Sequence, residues 1–176
     1  MTEARNITME KRQISFSPPD ITEAEVSAVA DALRSGWITT GPRTKEFERN
    51  IAQLCGTDKA VALGSATACL ESILRFLGIG AGDEVITSAY TYTASASPAV
   101  HVGAALKFID VAPDSFEMDY DALEAAITEK TKVIVPVDIA GVPCDYDRIF
   151  DIVERKKALF HPSNDVQRAI GRVIVA

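Results

Sequence analysis

A run of small residues, GSATACL at residues 64–70, directly follows the apolar tetrapeptide AVAL at residues 60–63. A turn from a strand into a helix leaves unpaired backbone N–H groups in the first helical turn, where the helix dipole is positive. Phosphate binds at such ends, and small side chains let it approach the N–H groups. We therefore predict a phosphate-binding turn at Ser65, Ala66 and Thr67. The alternative is that a hydroxyl only caps the helix and the small residues only pack.

A second stretch with chemical potential is TSAYTYTASA at residues 87–96. It follows the next apolar segment, so we expect it at the same edge of a parallel sheet as the small-residue turn. An aromatic side chain at this edge could lie flat against a planar ligand ring. The alternative is that Tyr90 and Tyr92 are core residues with satisfied hydroxyls.

The sequence does not indicate other kinds of chemistry, such as nucleotide hydrolysis or metal binding. There is no G-x-x-x-x-G-K-[ST] loop and no dinucleotide fingerprint, so nucleotide hydrolysis and NAD binding are not indicated. The three cysteines form no C-x-x-C pair and suit a reducing compartment. His101 and His161 stand alone, and we predict ordinary surface or partly buried roles for both. We predict no metal site.

Hydrophobic periodicity predicts the elements that must position these residues. A first helix begins after Thr22, which has capping-box spacing to Glu25, and a second carries Phe47, Ile51 and Leu54 on one face. From residue 59 onward strands and helices alternate. The predicted strands are 59–63, 84–89, 105–111, 132–137 and 172–176, and the predicted helices are 67–77, 92–102, 119–128 and 147–155. Most of these strands are nearly all apolar, which predicts an α/β fold with a largely parallel sheet and helices on both faces.

Composition bounds the class of protein. The chain has 176 residues, 47% of them apolar and 24% charged, which is typical of a globular domain. A net charge of −7 argues against nucleic acid as a partner. No apolar run reaches the length of a membrane span, and residues 1–13 form a polar arm without the apolar core of a signal peptide. We therefore expect no membrane partner and a cytoplasmic location.

Five segments in order resemble the DegT/DnrJ/StrS-type sugar aminotransferases: GWITTGPRTKEFE, GSATACL, GDEVITSAYTYTASA, GAALKFIDV and TKVIVPVDIAGVPCD. The resemblance covers residues 16–152, and the motifs are specific in combination. It implies a fold-type-I enzyme that uses pyridoxal 5'-phosphate (PLP), with an incomplete large domain over residues 14–176 and no C-terminal small domain. It also implies a homodimer that transfers an amino group, usually from glutamate, to a nucleotide-linked keto-sugar. Such products serve the synthesis of surface polysaccharides or antibiotics.

The resemblance gives roles to individual residues. Ala66 and Thr67, with Ser65 beside them, match the cofactor-phosphate turn of the family. Tyr92 matches the aromatic position that stacks on the pyridine ring.

Three residues of the loop 37–41, Trp37, Thr39 and Thr40, match a segment near the sugar side of the site. Asp138 stands where the family often has histidine, and we assign it no role. Residues 156–171 are longer and more polar than the usual link to the next strand, so we interpret them as an insertion of unknown purpose.

Two groups that the family chemistry requires are not found at matching positions. These are a lysine that binds the cofactor covalently and a carboxylate that pairs with its pyridine nitrogen, both located after the strand that RVIVA resembles. None of the eight lysines stands in the matching context. We therefore assign no catalytic residue and expect this chain to be inactive by itself. Two alternatives stay open, a truncated non-catalytic paralogue that serves as a binding module and the family branch that performs dehydration.

Overall fold

The computed structural model describes residues 13–15 and 17–176, so nearly all of the predicted N-terminal arm lies outside the described residues. The chain forms two compact units, Met1–Ala62 and Leu63–Ala176. Whether residues 14–176 act as one cofactor domain stays a prediction. Within the described residues, every helix falls short of the length and apolar character that a membrane crossing requires.

The first unit contains the two predicted helices, α1 (Glu23–Arg34) and α2 (Pro42–Cys55). The predicted capping box is present, since the Thr22 backbone N–H donates to the Glu25 carboxylate at 2.7 Å and the Thr22 side chain caps α1. At the start of α2, proline occupies the first helical position, where its missing N–H costs nothing. The helix ends at Gly56 in the left-handed conformation. Both sequence predictions are confirmed.

The second unit alternates strands and helices as predicted. Its elements in chain order are α3 (Ala66–Phe76), β1 (Glu84–Ser88), α4 (Thr93–His101), β2 (Ala105–Ile109), α5 (Tyr120–Ala126), β3 (Thr131–Val135), α6 (Tyr146–Arg155), α7 (Asp165–Ile170) and β4 (Ile174–Val175). Two short 3-10 turns, Ile139–Gly141 and Lys157–Leu159, complete the unit. Side-chain oxygens cap four of the helices, at Ser65, Asp119, Asp145 and Asn164.

The four strands form one sheet in the order β2-β1-β3-β4, and every pairing is parallel. The predicted fold class is confirmed. The chain leaves β1 toward β2 and leaves β3 toward β4, so the connections from the neighbouring strands β1 and β3 run toward opposite edges of the sheet. Ligands of parallel α/β proteins bind at such a switch point, outside the carboxyl ends of the strands. The topology therefore directs attention to the residues that follow β1 and β3.

Alternating side chains of the sheet build two cores. On one face, the strands and the helices α3 and α4 contribute Val85, Val133, Val135, Leu74, Leu77 and Ala99. On the other face, the strands and the helices α5 and α6 contribute Ile86, Ile134, Leu123, Ile149 and Ile152. Both faces of the sheet are therefore covered, as expected for parallel strands.

One predicted element is not found among the described residues. Residues 59–63 form no strand in the described part of the chain, and Val61 there is 74% exposed. A strand needs a hydrogen-bonding neighbour, and β1 to β4 pair only with one another. Near α3, Leu70, Leu74 and Leu77 pack on the core, whereas Ile73 is exposed.

Candidate functional site

The start of α3 lies toward the carboxyl edge of the sheet. The turn 77–83 joins the carboxyl end of α3 to the amino end of β1, and α3 packs on the sheet through Leu74 and Leu77. An 11-residue helix spans roughly 16 Å, about the length of a 5-residue strand. Helix α3 therefore runs back along β1, and its amino end reaches the carboxyl edge. The start of α4 lies at this edge too, because α4 follows β1 after four residues.

The first turn of α3 combines a capped N–H with unpaired ones. The Ser65 hydroxyl accepts a hydrogen bond from the Ala68 N–H at 3.1 Å, so Ser65 caps the helix. Among the described residues, no acceptor faces the N–H groups of Ala66 and Thr67. Capping by Ser65 thus leaves two N–H donors at the positive end of the helix, which suits an anion.

Gly64 argues against the alternative that these small residues serve packing alone. A Cβ built at Gly64 would meet no atom of the described residues within 4 Å, and the backbone there is not left-handed. Ser65 and Ala66 are exposed, while Thr67 is half-buried. Neither packing nor backbone conformation within the described residues therefore requires glycine at position 64, and the space in front of the turn is open.

The two tyrosines after β1 are not core residues. Tyr92, the residue before the first turn of α4, is 82% exposed and makes no side-chain capping bond. Tyr90 is 53% exposed, and its ring stacks on Phe116 with 5.3 Å between centroids. The core alternative is wrong for both. Tyr92 has a ring face available for a ligand, whereas Tyr90 is engaged by Phe116, a residue that the sequence did not single out.

Asp138 organises the loop that follows β3. Its Oδ1 accepts hydrogen bonds from the Cys144 N–H at 2.9 Å and from the Tyr146 hydroxyl at 3.0 Å. The Cys144 thiol donates to the Val137 carbonyl at 3.2 Å. Sequence analysis assigns Asp138 no role, because its partners lie six to eight residues further along a loop of unpredicted shape. The structure gives it the role of holding this loop at the switch point.

Burial and the Asp138 carboxylate set the acidity of these partners. Burial raises the pKa of the Cys144 thiol, with a smaller effect from the negative charge of Asp138. Burial also raises the pKa of Tyr146 to about 12, and its hydrogen bond to Asp138 adds to the effect. Both groups therefore stay protonated at neutral pH and act as hydrogen-bond donors within the loop.

A second tyrosine connects the loops that follow β2 and β3. The Tyr120 hydroxyl donates to the Glu117 carboxylate at 2.8 Å and accepts from the Asp145 N–H at 2.7 Å. Burial raises the pKa of Tyr120, so its hydroxyl remains a donor. The carboxyl edge of the sheet is thus fixed by hydrogen bonds between loops.

The predicted sugar-side loop belongs to the first unit. The Trp37 indole N–H donates to the Thr40 carbonyl at 3.2 Å, which closes the loop over Gly41. A Cβ at Gly41 would lie 2.1 Å from Trp37 Nε1, so the indole ring requires glycine there. Trp37 and Thr39 line a cleft of about 380 Å³, and Thr40 lines a neighbouring one of about 390 Å³ with Lys45 and Arg49.

The sequence profile of the DegT/DnrJ/EryC1/StrS aminotransferase family matches residues 19–172. The chain belongs to this family. The match includes the α3 turn (residues 64–67), Tyr92 and the Asp138 loop (residues 136–145). It also covers all of residues 156–171.

Similar proteins of this family are aminotransferases. A UDP-4-amino-4-deoxy-L-arabinose–oxoglutarate aminotransferase from Shewanella sediminis is 48% identical over 139 residues, which are 79% of this chain and 36% of that protein. Spr1654 from Streptococcus pneumoniae, described as a sugar aminotransferase, has a PLP-form structure that is 58% identical. It matches with a TM-score of 0.89 over 93% of this chain and 42% of that one. An aminotransferase from Psychrobacter cryohalolentis is 38% identical over 80% of this chain and 36% of its own, with a TM-score of 0.73.

These matches confirm the predicted fold-type-I architecture. The chain spans between 36% and 42% of the length of these relatives. Its structure corresponds to the part of the family fold that contains the α3 turn and the strands β1 to β4.

The Asp138 loop generates a prediction about cysteine reactivity. We expect iodoacetamide at pH 8 to alkylate Cys144 much more slowly than the exposed Cys55, because burial raises the thiol pKa of Cys144 and limits access. Asp138→Ala removes the acceptor for the Cys144 N–H and should speed labelling of Cys144 severalfold. Asp138→Asn keeps an acceptor oxygen and should stay close to wild type. Peptide mass mapping measures both rates, and equal labelling of Cys144 in all three proteins would contradict the role of Asp138.

Proposed function

We propose that the protein carrying this chain is a PLP-dependent aminotransferase that acts on a nucleotide-linked keto-sugar, with glutamate as the amino donor. The observation that carries the proposal is the open α3 turn at the same sheet edge as the exposed ring of Tyr92. Support comes from Spr1654, which has structures in PLP and PMP forms and is 58–59% identical to this chain. We further propose that the enzyme is a cytoplasmic homodimer that serves polysaccharide or antibiotic sugar synthesis.

The residues of this chain would hold the cofactor at two points. The N–H groups of Ala66 and Thr67 would donate to the phosphate, and the hydroxyls of Ser65 and Thr67 stand beside them. The ring of Tyr92 would lie against the pyridine ring. When bound, PLP supplies an electron sink that allows an amino group to be exchanged against a carbonyl oxygen.

The overall exchange needs no outside oxidant or reductant. The donor amino acid gives up its amino group and leaves as a 2-oxo acid. The keto carbon of the sugar gains that amino group and loses its oxygen, so the product is an amino sugar. One donor is oxidised for each sugar that is reduced, and the electrons balance between the two substrates.

None of the lysines in this chain is proposed for the covalent link to the cofactor. In residues 63–176 of the described structure, no lysine directly follows the carboxyl end of a strand. Lys107 donates to the Ala126 carbonyl at 2.8 Å, and Lys132 is buried with its Nζ bonded to the His161 carbonyl. These two amines are already engaged within the protein, away from the α3 turn.

Turnover tests the proposed function directly. The full protein that carries this chain is incubated with PLP, glutamate and a nucleotide-linked 4-keto-sugar, and products are separated by liquid chromatography and mass spectrometry. We expect an amino sugar and 2-oxoglutarate in equal amounts. Cofactor binding without any amino sugar from a panel of keto-sugars would instead favour a non-catalytic binding role, and loss of sugar oxygen without amine gain would favour dehydration.

Tyr92 generates a prediction about cofactor affinity. In the full protein, Tyr92→Ala should weaken PLP binding by about 1–3 kcal/mol, the range for aromatic stacking on a base. Tyr92→Phe should be nearly neutral, because the ring face and not the hydroxyl makes the contact. Tyr90→Ala is the matched control, since that ring is engaged by Phe116. Fluorescence titration with PLP gives the affinities. Wild-type affinity in Tyr92→Ala would show that Tyr92 does not contact the cofactor.

The Trp37 loop generates a prediction about the sugar substrate. Trp37→Ala should raise the KM for the nucleotide sugar roughly fivefold to thirtyfold, the factor that corresponds to a loss of 1–2 kcal/mol. Gly41→Ala should have a similar effect, because the new methyl group would displace the Trp37 indole ring. Neither change should alter PLP affinity. If both variants keep the wild-type KM, then Trp37 lies outside the substrate site.

A further inference from the structure

The insertion 156–171 contains a buried glutamine with no role in the proposed function. Gln167 lies on α7 and is fully buried. Its Nε2 donates to the Leu77 carbonyl at 2.8 Å, and its Oε1 accepts from the backbone N–H and the hydroxyl of Ser163 at 3.0 and 3.1 Å. Asn164 also donates to the Leu77 carbonyl, at 2.9 Å. Two side-chain amides of the insertion thus converge on one backbone oxygen.

This oxygen belongs to the carboxyl end of α3. Leu77 is the residue that ends the helix, where carbonyl groups lack donors from a following turn. Gly78 follows in the left-handed conformation, with φ of 68°, and a Cβ there would lie 2.5 Å from Asn164 Nδ2. The glycine is therefore required both by its conformation and by the approach of the insertion. The carboxyl end of α3 and the insertion are therefore joined by hydrogen bonds, although the bonded residues lie 87 to 90 positions apart in sequence.

Two further contacts anchor the insertion to the sheet. Val166 packs on the core cluster that contains Leu74 and Leu77. Nearer the start of this segment, the buried Lys132 of β3 donates to the His161 carbonyl. The Lys132 Nζ also lies over the Phe160 ring, 5.2 Å from its centroid. The amides of Asn164 and Gln167 are thereby held by β3 and the core, so they can fix the end of α3.

We propose that Asn164 and Gln167 are positioning residues for the cofactor phosphate and act through α3. The helix is a rigid rod of 11 residues, with the amides at its carboxyl end and the N–H groups of Ala66 and Thr67 at its amino end. Fixing one end fixes the direction of the donors at the other, and hydrogen bonds to an anion depend on that direction. This inference rests on the proposed placement of phosphate at the α3 turn.

The test compares two ligands that differ only in the phosphate group. Calorimetry measures the affinity of the full protein for pyridoxamine phosphate and for pyridoxamine. Gln167→Met keeps the size of the side chain but removes its amide, and should weaken pyridoxamine phosphate binding about tenfold, within the usual range for residues that act at a distance. Pyridoxamine binding should stay unchanged. Asn164→Asp keeps the cap on the Gln167 N–H but loses the donor to Leu77, and should give a smaller loss of the same kind.

Two controls separate positioning from general stability. Ile149→Val removes a buried methyl group from the core on the opposite face of the sheet and should not change the ratio of the two affinities. Arg168→Ala removes an exposed side chain of α7 whose ion pair is with Asp165, and should leave both affinities at wild type. Melting temperatures of all variants show how much stability each one loses.

The outcomes distinguish this inference from the proposed function. If Gln167→Met and Asn164→Asp lose affinity equally for both ligands, or lose affinity for neither ligand, the positioning role is wrong. The proposed function still stands in that case. A wild-type protein that binds pyridoxamine phosphate no more tightly than pyridoxamine overturns both. A selective loss for the phosphorylated ligand, absent in Ile149→Val, supports the inference.

Discussion

The second unit depends on the position of β1 between two parallel neighbours. Residues 85–88 of β1 are all buried, and the Thr87 hydroxyl donates to the Val135 carbonyl of β3 at 2.8 Å. Helix α3 precedes β1 in the chain, and α4 lies in the crossover from β1 to the parallel strand β2. Since both helices start at the carboxyl edge, the free N–H groups of α3 and the ring of Tyr92 reach the same edge of the sheet.

The two ends of α3 meet different environments, and the difference has a physical cause. At the amino end, Gly64 faces open space and the N–H groups of Ala66 and Thr67 are unpaired among the described residues. At the carboxyl end, the Leu77 carbonyl accepts from the buried amide of Gln167 and from the half-buried amide of Asn164. A helix end that binds a ligand must keep its backbone groups available, whereas the opposite end gains stability when its groups are satisfied. Along its length, Glu71 bonds His101 of α4 at 2.8 Å.

The loops at the carboxyl edge are ordered by polar contacts. Asp138 fixes the loop after β3 through Cys144 and Tyr146, and Tyr120 joins this loop to the one after β2. Ala140, inside the Asp138 loop, has a left-handed backbone with φ of 53°, which is unusual for a residue with a side chain. Such strain persists where surrounding contacts hold the backbone, and functional edges are common places for it.

The sequence by itself determined the elements and their order, because helix and strand periodicity, caps and glycines are local signals. Thr22 with Glu25, the turn after Leu77 and the apolar strands could all be read from neighbouring residues. It also indicated the α3 turn and Tyr92, since small residues after a strand and an aromatic after the next are short patterns. Residues 59–63 show the limit of such signals, because a strand also requires a partner.

Only the tertiary structure decided which polar residues act together. Asp138 was without a role until the loop brought Cys144 and Tyr146 to its carboxylate, and Phe116 had no signal before it stacked on Tyr90. Residues 156–171 were interpreted as an insertion of unknown purpose, and only the fold places Gln167 of this segment against Leu77. These contacts join residues that are distant in sequence, or that depend on irregular loops, and no periodic pattern encodes them. Burial makes the Gln167 contact a constraint, because a polar group removed from water must find a partner.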